Sequence, residues 1–163
     1  MTQTLEAGKA VTAPFTVVID NREQIPWPFD AITADGNRVI VPVERGTLQS
    51  GDYSIKGLET VVAIERKSVS DFYGSITSGR TRLEAEFQRM ESMQFSAIIV
   101  EDRLESVLDP GFHGSRVNPN AIRATVASWS VKYKTRWFFV PSRTQAERLA
   151  FELLSKFHKH YKK

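Results

Sequence analysis

The spacing of apolar residues changes along the chain, and each period predicts a different element. Residues Phe15 to Asp20, FTVVID, form a β-branched run that stops on a carboxylate, which predicts a buried strand. IPWPF follows, and its two prolines impose an extended, non-helical connection. NRVIVPV (37–43) is a second strand candidate, pushed toward an edge or a bulge because Pro42 has no amide to give to a ladder. GDYSI (51–55) and TVVAIERK (60–67) predict two strands joined around Lys56 and Gly57 as a hairpin.

From Ser68 onward the period lengthens. SVSDFYGSI starts a helix with Ser68 as cap and Asp71 three residues on. Between Arg80 and Met93, Leu83, Phe87 and Met90 recur at helical spacing. FSAIIVE is another strand. Asn118 caps a helix with Pro119 in its first position, and Ile122, Val126, Trp129 and Tyr133 form its stripe. RWFFV is the last strand. Ser142 to Gln145, SRTQ, reads as a capping box, with Ala146, Leu149, Ala150, Leu153, Leu154 and Phe157 along one face of the helix it opens. Strands first, then strands alternating with helices, predict an α/β fold: one mixed central β-sheet flanked by helices.

A length of 163 residues suits one domain with a real core. Cysteine is absent, so disulfides, thiolate nucleophiles and Cys-containing zinc sites are excluded, and a reducing, intracellular (cytoplasmic) setting is expected. The apolar runs AIIV and WFFV are too short to span a bilayer, so no membrane association is expected. The start of the chain has neither the basic nor the apolar segment of a secretory signal. Residues 1–14, MTQTLEAGKAVTAP, read as a flexible leader, 15–158 as the folded domain and 159–163 as a basic tail. The net charge of +3 is modest, but KFHKHYKK holds four lysines and two histidines, and Arg80, Arg82, Arg116, Arg123, Lys132, Lys134 and Arg136 add to it. Contact with phosphates and a merely solvated basic surface both account for this.

The candidate chemistry sits in GDYSIKGLETVVAIERKSVSD (51–71). Glu65 and Lys67 are two apart on a strand and share a face, while Arg66 points to the other. The hairpin brings Asp52 beside Glu65. Two adjacent carboxylates resist ionisation unless a cation lies between them, and Mg²⁺ suits oxygen ligands. Lys67 would then orient water or stabilise charge growing on a phosphate. The alternatives are a solvated strand end for Glu65 and Lys67, helix capping for Asp71, and turn roles for Asp20 and Glu23. His113, His158 and His160 have no metal-ligand spacing. P-loop, nucleophile-elbow and dinucleotide motifs are missing, so no nucleotide cofactor is expected. Trp27, Trp129, Trp137 and Phe138 are assigned to the core.

Taken in order, VVIDNRE, GDYSI, IERKSVSD and GSITSGR resemble the nuclease domain of the XPF family of structure-specific endonucleases. That family's signature is D-x-R-E, G-D-[YF], E-R-K-x-x-x-D and G-S-[LI]-x-x-G-R, and the likeness runs from Phe15 to Phe157. The resemblance implies a restriction-endonuclease-like core that hydrolyses DNA phosphodiesters with Mg²⁺ (or Mn²⁺). The DNA would be branched, flapped or distorted, during repair, recombination or replication. It assigns Asp52 and Glu65 to the metal, with Asp20 beside them, and Lys67 to the lysine of the PD-(D/E)xK constellation. Glu23 and Asp71 match further acidic positions. Arg22, Arg66, Arg80 and Arg82 match basic positions that meet phosphates or brace carboxylates. Family members pair through this domain, so a homodimer or heterodimer is expected, formed by the stripes of 118–133 and 142–157 with RWFFV between them. The helix-hairpin-helix and helicase modules of large members have no counterpart in these residues, so a compact stand-alone member is expected. Its substrate choice would rest on the basic tail or a partner. Two rival readings are a non-catalytic DNA-binding or scaffolding subunit and a general or restriction-type nuclease on the same fold.

Overall fold

The structure, a computed structural model, describes residues 8–161. Its centre is a six-stranded mixed sheet built from β2 (Val17–Asp20), β5 (Val43–Gly46), β6 (Tyr53–Ile55), β7 (Val62–Lys67), β8 (Phe95–Val100) and β9 (Arg136–Phe139), in the order β5-β2-β6-β7-β8-β9. Strand β2 is parallel to β5 and antiparallel to β6, β6 is antiparallel to β7, and β7, β8 and β9 are parallel. Every strand except β6 therefore ends at the same edge of the sheet. In open α/β sheets that carboxyl edge is where ligands bind.

A three-stranded sheet, order β1-β4-β3, packs beside it: β1 (Ala10–Thr12), β3 (Thr33–Ala34) and β4 (Asn37–Ile40). It corrects two expectations. The expected flexible leader of residues 1–14 is not what its later residues form: Ala10–Thr12 pair in parallel with Arg38–Ile40, and Ala13 is buried. NRVIVPV is not one strand. Val41 and Pro42 lie outside both ladders and divide it into β4 of the small sheet and β5 of the large one. Pro42 cannot donate, yet its carbonyl accepts from the Val17 amide at 2.8 Å, and β5 takes the sheet edge.

Alternation along each strand sends side chains into two separate cores. Ile99 and Phe138 face Trp27, Phe29, Tyr53 and the final helix α5 (Arg143–His160). Ile98, Val100, Trp137 and Phe139 face α1 (Val69–Ile76), α2 (Arg80–Met90) and α4 (Pro119–Lys132). A one-turn helix, α3 (Leu104–Val107), lies in the β8–α4 connection. The expected caps form: Ser68 Oγ accepts from the Asp71 amide at 3.1 Å, Asn118 Oδ1 from Asn120 at 2.9 Å and Ser142 Oγ from Gln145 at 3.2 Å. Helix α2 stops at Met90, short of Met93.

Helix α5 is wider in its buried face than its stripe suggested. Phe151 and Glu147 are buried with Ala146, Ala150 and Leu154, and Glu147 accepts a hydrogen bond from the Phe29 amide. Arg143 Nη2 holds the carbonyls of Ile25 and Pro26 at 2.7 and 2.8 Å. The stripes expected to form a two-fold interface are therefore spent mainly on the two cores. The basic tail begins inside α5, since Lys159 and His160 are helical; Lys162 and Lys163 lie outside the described residues. Among the described residues, no helix is long and apolar enough to cross a membrane.

Candidate metal and nucleic-acid site

Tyr53 pairs with Ile64, so the antiparallel register sets Asp52 opposite Glu65, as the hairpin requires. The ladder opens there. The Asp52 amide donates to the Ile64 carbonyl at 2.8 Å, but its carboxylate, rather than a main-chain oxygen, takes the Arg66 amide at 2.8 Å. Gly51 makes the turn possible. Its φ is +75°, and a Cβ would lie 3.0 Å from Ala63 Cβ and 3.1 Å from the Ile64 carbonyl oxygen. Its amide donates to Glu86 Oε1 at 2.6 Å, and Arg89 pairs with the same carboxylate.

Around this turn lies a cavity of about 500 Å³ whose walls include Arg22, Glu23, Asp52, Glu65, Lys67, Asp71, Arg82 and Glu86. Helix α1 gives it a face of small residues: Ser70, Gly74 and Ser75. Lys67 Nζ lies 3.1 Å from Glu65 Oε1. Burial, then the charge of Glu65, pushes the Asp52 carboxyl well above the usual aspartate range. Burial raises Glu65 as well; Lys67 opposes that rise and Glu86 adds to it. One lysine thus faces two carboxylates, Asp52 and Glu65, that burial discourages from ionising. A second cavity, of about 640 Å³, lies at the opposite edge of the sheet beside Ser96, Lys134 and Trp137, and among the described residues no acidic side chain lines it.

The acidic and basic positions separate into two groups. Asp52, Glu65, Arg66, Lys67, Glu23, Asp71, Arg22 and Arg82 reach the cavity. Asp20 does not line it. Its side chain is 2% exposed, and its oxygens are taken by the Arg22 guanidinium (2.7 Å), the Arg22 amide (2.9 Å) and the Leu48 amide (2.8 Å). Burial opposes its ionisation, but those hydrogen bonds outweigh it and hold the carboxyl below its ordinary value. Asp20 braces the loop instead of offering a free ligand oxygen. Arg80 also moves out of the site: its guanidinium lies 4.7 Å from the centre of the Trp129 ring and donates to Thr125 Oγ1 at 2.8 Å, joining α2 to α4.

Arg66 braces carboxylates. On the far face of β7 it pairs with Glu101 and approaches Glu23 Oε2 at 3.4 Å. Glu101 also accepts from Trp27 Nε1 at 3.0 Å, with Arg143 at 3.7 Å, and Tyr53 donates to Glu23 at 3.0 Å. Glu86 and Glu101 are the members of these networks that the sequence reading missed. Glu101 directly follows β8 and its amide donates to the Lys67 carbonyl at 2.9 Å, so a carboxylate just past the strand that neighbours β7 was a usable signal. Glu86 sits on a helix face where a polar residue means nothing unusual.

The residues fit a hard divalent cation. Glu65 is buried and Asp52 partly buried; a cation would relieve the repulsion between these carboxylates, and they open on a cavity with room for water. Among the described residues, no three His, Asp or Glu side chains already converge on a common point for a metal, so the other ligands would be water or substrate oxygens.

The chain belongs to the ERCC4 domain family, which it matches over residues 19–153. Its fold is that of XPF from Aeropyrum pernix: one solved structure superposes with a TM-score of 0.62 at 24% identity, covering 89% of this chain and 65% of that one. XPF from Aeropyrum pernix in complex with DNA gives a TM-score of 0.59 at 23% identity over the same shares. The chain thus spans about 65% of the length of these solved relatives. No curated protein matches the chain.

Proposed function

We propose that this protein is a divalent-metal-dependent DNA endonuclease acting on branched or flapped DNA. The observation that carries the reading is the Asp52–Glu65 pair, with Lys67 at 3.1 Å from Glu65, opening at the carboxyl edge of the sheet. Membership of the ERCC4 domain family and the XPF-like fold support it. Asp52 and Glu65 would hold Mg²⁺, which when bound supplies a Lewis acid for a phosphodiester oxygen. Lys67 keeps positive charge beside that point, where negative charge grows on the phosphate. The small residues of α1 leave space for a sugar-phosphate backbone, and Arg22 and Arg82 are exposed to meet phosphates without reading bases. A second copy or a related chain would pair along the half-buried β9 edge, a proposal that light scattering checks.

The test is cleavage of matched duplex, flap, fork and four-way junction DNA with Mg²⁺ and with EDTA. Expected is metal-dependent cutting that prefers the branched forms and is abolished in folded Asp52→Ala and Glu65→Ala. Undiminished cutting in EDTA, or by either variant, overturns the metal assignment. Equal cutting of all four substrates overturns the branched preference and leaves a general nuclease.

A further inference from the structure

Helix α2 is fixed on one flank and faces the cavity on the other. Leu83, Phe87 and Met90 are buried in the core. Beside them Arg80 and Glu84 tie the helix to α4: Arg80 donates to Thr125 Oγ1 at 2.8 Å, and Trp129 Nε1 donates to Glu84 Oε1 at 2.9 Å. On the opposite flank Arg82 and Glu86 line the cavity. The Glu86 side chain is 16% exposed, and both of its oxygens are engaged. Oε1 accepts from the Gly51 amide at 2.6 Å, and Oε2 pairs with Arg89. Among the described residues, no main-chain carbonyl takes that amide, so a carboxylate 35 residues away supplies the acceptor that a buried amide requires.

That amide belongs to the residue before Asp52. Asp52 is held from β7, through the Ile64 carbonyl and the Arg66 amide, each at 2.8 Å. Its preceding turn is held from α2, through Glu86. Glycine takes positive and negative φ with nearly equal ease, so Gly51 by itself does not select its φ of +75°. A hydrogen bond to an ionised acceptor is about twice as strong as a neutral one, and this one comes from a helix already fixed to α4. A carboxylate at the cavity wall could also bind a cation directly. Here its oxygens are spent on an amide and a guanidinium, which favours holding the turn over ligation.

We infer that Glu86 is a positioning residue for the metal site: it holds the Gly51 turn against α2 so that the Asp52 carboxylate stands opposite Glu65. This rests on the nuclease reading and adds to it the residue that sets the geometry of the two carboxylates. Positioning needs an acceptor oxygen at the present reach and does not need the negative charge. Ligation needs the carboxylate itself. Removing a group that orients metal ligands lowers metal affinity or activity by ~10- to 100-fold.

The experiment compares the full chain with Glu86→Gln, Glu86→Asp and Glu86→Ala. Three quantities are measured: Mg²⁺ affinity by calorimetry without DNA, kcat on saturating flap DNA, and DNA affinity in EDTA. Glu86→Gln keeps the reach and loses the charge, whereas Glu86→Asp keeps the charge and is one methylene too short for the amide. Glu86→Asp and Glu86→Ala should bind Mg²⁺ about tenfold more weakly and lower kcat at least as much. Glu86→Gln should retain both. DNA affinity should not weaken in any variant, because a carboxylate at the cavity wall repels phosphate. If Glu86→Ala does not fold, the Gln and Asp variants decide the matter. Glu86→Asp matching the parent in Mg²⁺ affinity and kcat overturns the inference, whatever its melting temperature. Loss of both in Glu86→Gln overturns it too, in favour of a carboxylate that binds the cation directly. In either case a parent that binds Mg²⁺ and cuts leaves the nuclease standing. If the parent neither binds Mg²⁺ nor cuts DNA, both readings fall.

Discussion

Glu65, Arg66 and Lys67 are consecutive, yet the two faces of β7 treat their charges in opposite ways. On the α5 face, Arg66 is enclosed by Glu101 and Glu23, with Trp27, Arg143 and Tyr53 completing the hydrogen bonds. On the α1 face, Asp52 and Glu65 share one lysine and open on a cavity. Burial costs both faces; on the first, paired protein charges answer it, while on the second Lys67 and the Arg66 amide do so only in part, and Glu23 and Arg66 reach the cavity from the first network. A balanced network holds geometry. An unbalanced one is left for a ligand to complete, and that difference separates framework from candidate chemistry better than residue type does.

Breaking the two faces should give different failures. Lys67→Ala should lower turnover about a thousandfold while Mg²⁺ affinity, measured by calorimetry, persists. A variant that keeps turnover and loses only DNA affinity would make Lys67 a phosphate contact. Arg66→Ala should act on the fold. It leaves Glu101 and Glu23 partly buried without their main partner and should cost about 3 kcal/mol in denaturant unfolding. An unchanged midpoint would mean the network is not structural.

The smallest effect should run the other way. Asp52 and Glu65 have carboxyls raised in the folded state, so the metal-free fold binds more protons than the unfolded chain. Their contribution to stability is complete below the ordinary carboxylate range and is lost as pH rises through the raised values. Asp52→Asn should therefore raise the melting temperature of the metal-free protein near neutral pH, by about 1 kcal/mol or about 3 °C. It should also flatten the decline in stability with pH. A lower melting temperature at neutral pH would show that the Arg66 amide bond outweighs the repulsion.

Much of this was legible from local pattern. The alternation in VVAIERK put Glu65 and Lys67 on one face and Arg66 on the other, and the strand period also fixed the hairpin partner of Glu65. Ser68, Asn118 and Ser142 announced their helices through side-chain oxygens that reach nearby amides. What stayed hidden depends on distance in the chain. Asp20 and Arg80 look like site residues by motif, but their neighbours Arg22, Leu48, Thr125 and Trp129 decide their roles, and only the fold brings the last two near Arg80. The strand Ala10–Thr12 is short and polar-flanked, and it exists because Arg38–Ile40 offer it an edge. Glu86 acquires its role from the Gly51 amide, a donor that no side-chain pattern records.

The grip of α5 on the loop after β2 has a consequence for biosynthesis. Arg143 holds the carbonyls of Ile25 and Pro26, and Glu147 holds the Phe29 amide, across sequence separations of 117 or 118 residues. All the cavity carboxylates have left the ribosome's decoding centre before Arg143 is added, by roughly 3 to 10 seconds at about 5–20 residues per second. During that interval Trp27 and Phe29 have no helix to cover them, and Glu101 lacks one of its arginines. The nascent chain therefore exposes a sticky aromatic loop, a natural client for holding chaperones, and acquires its finished carboxyl edge only when the last helix docks.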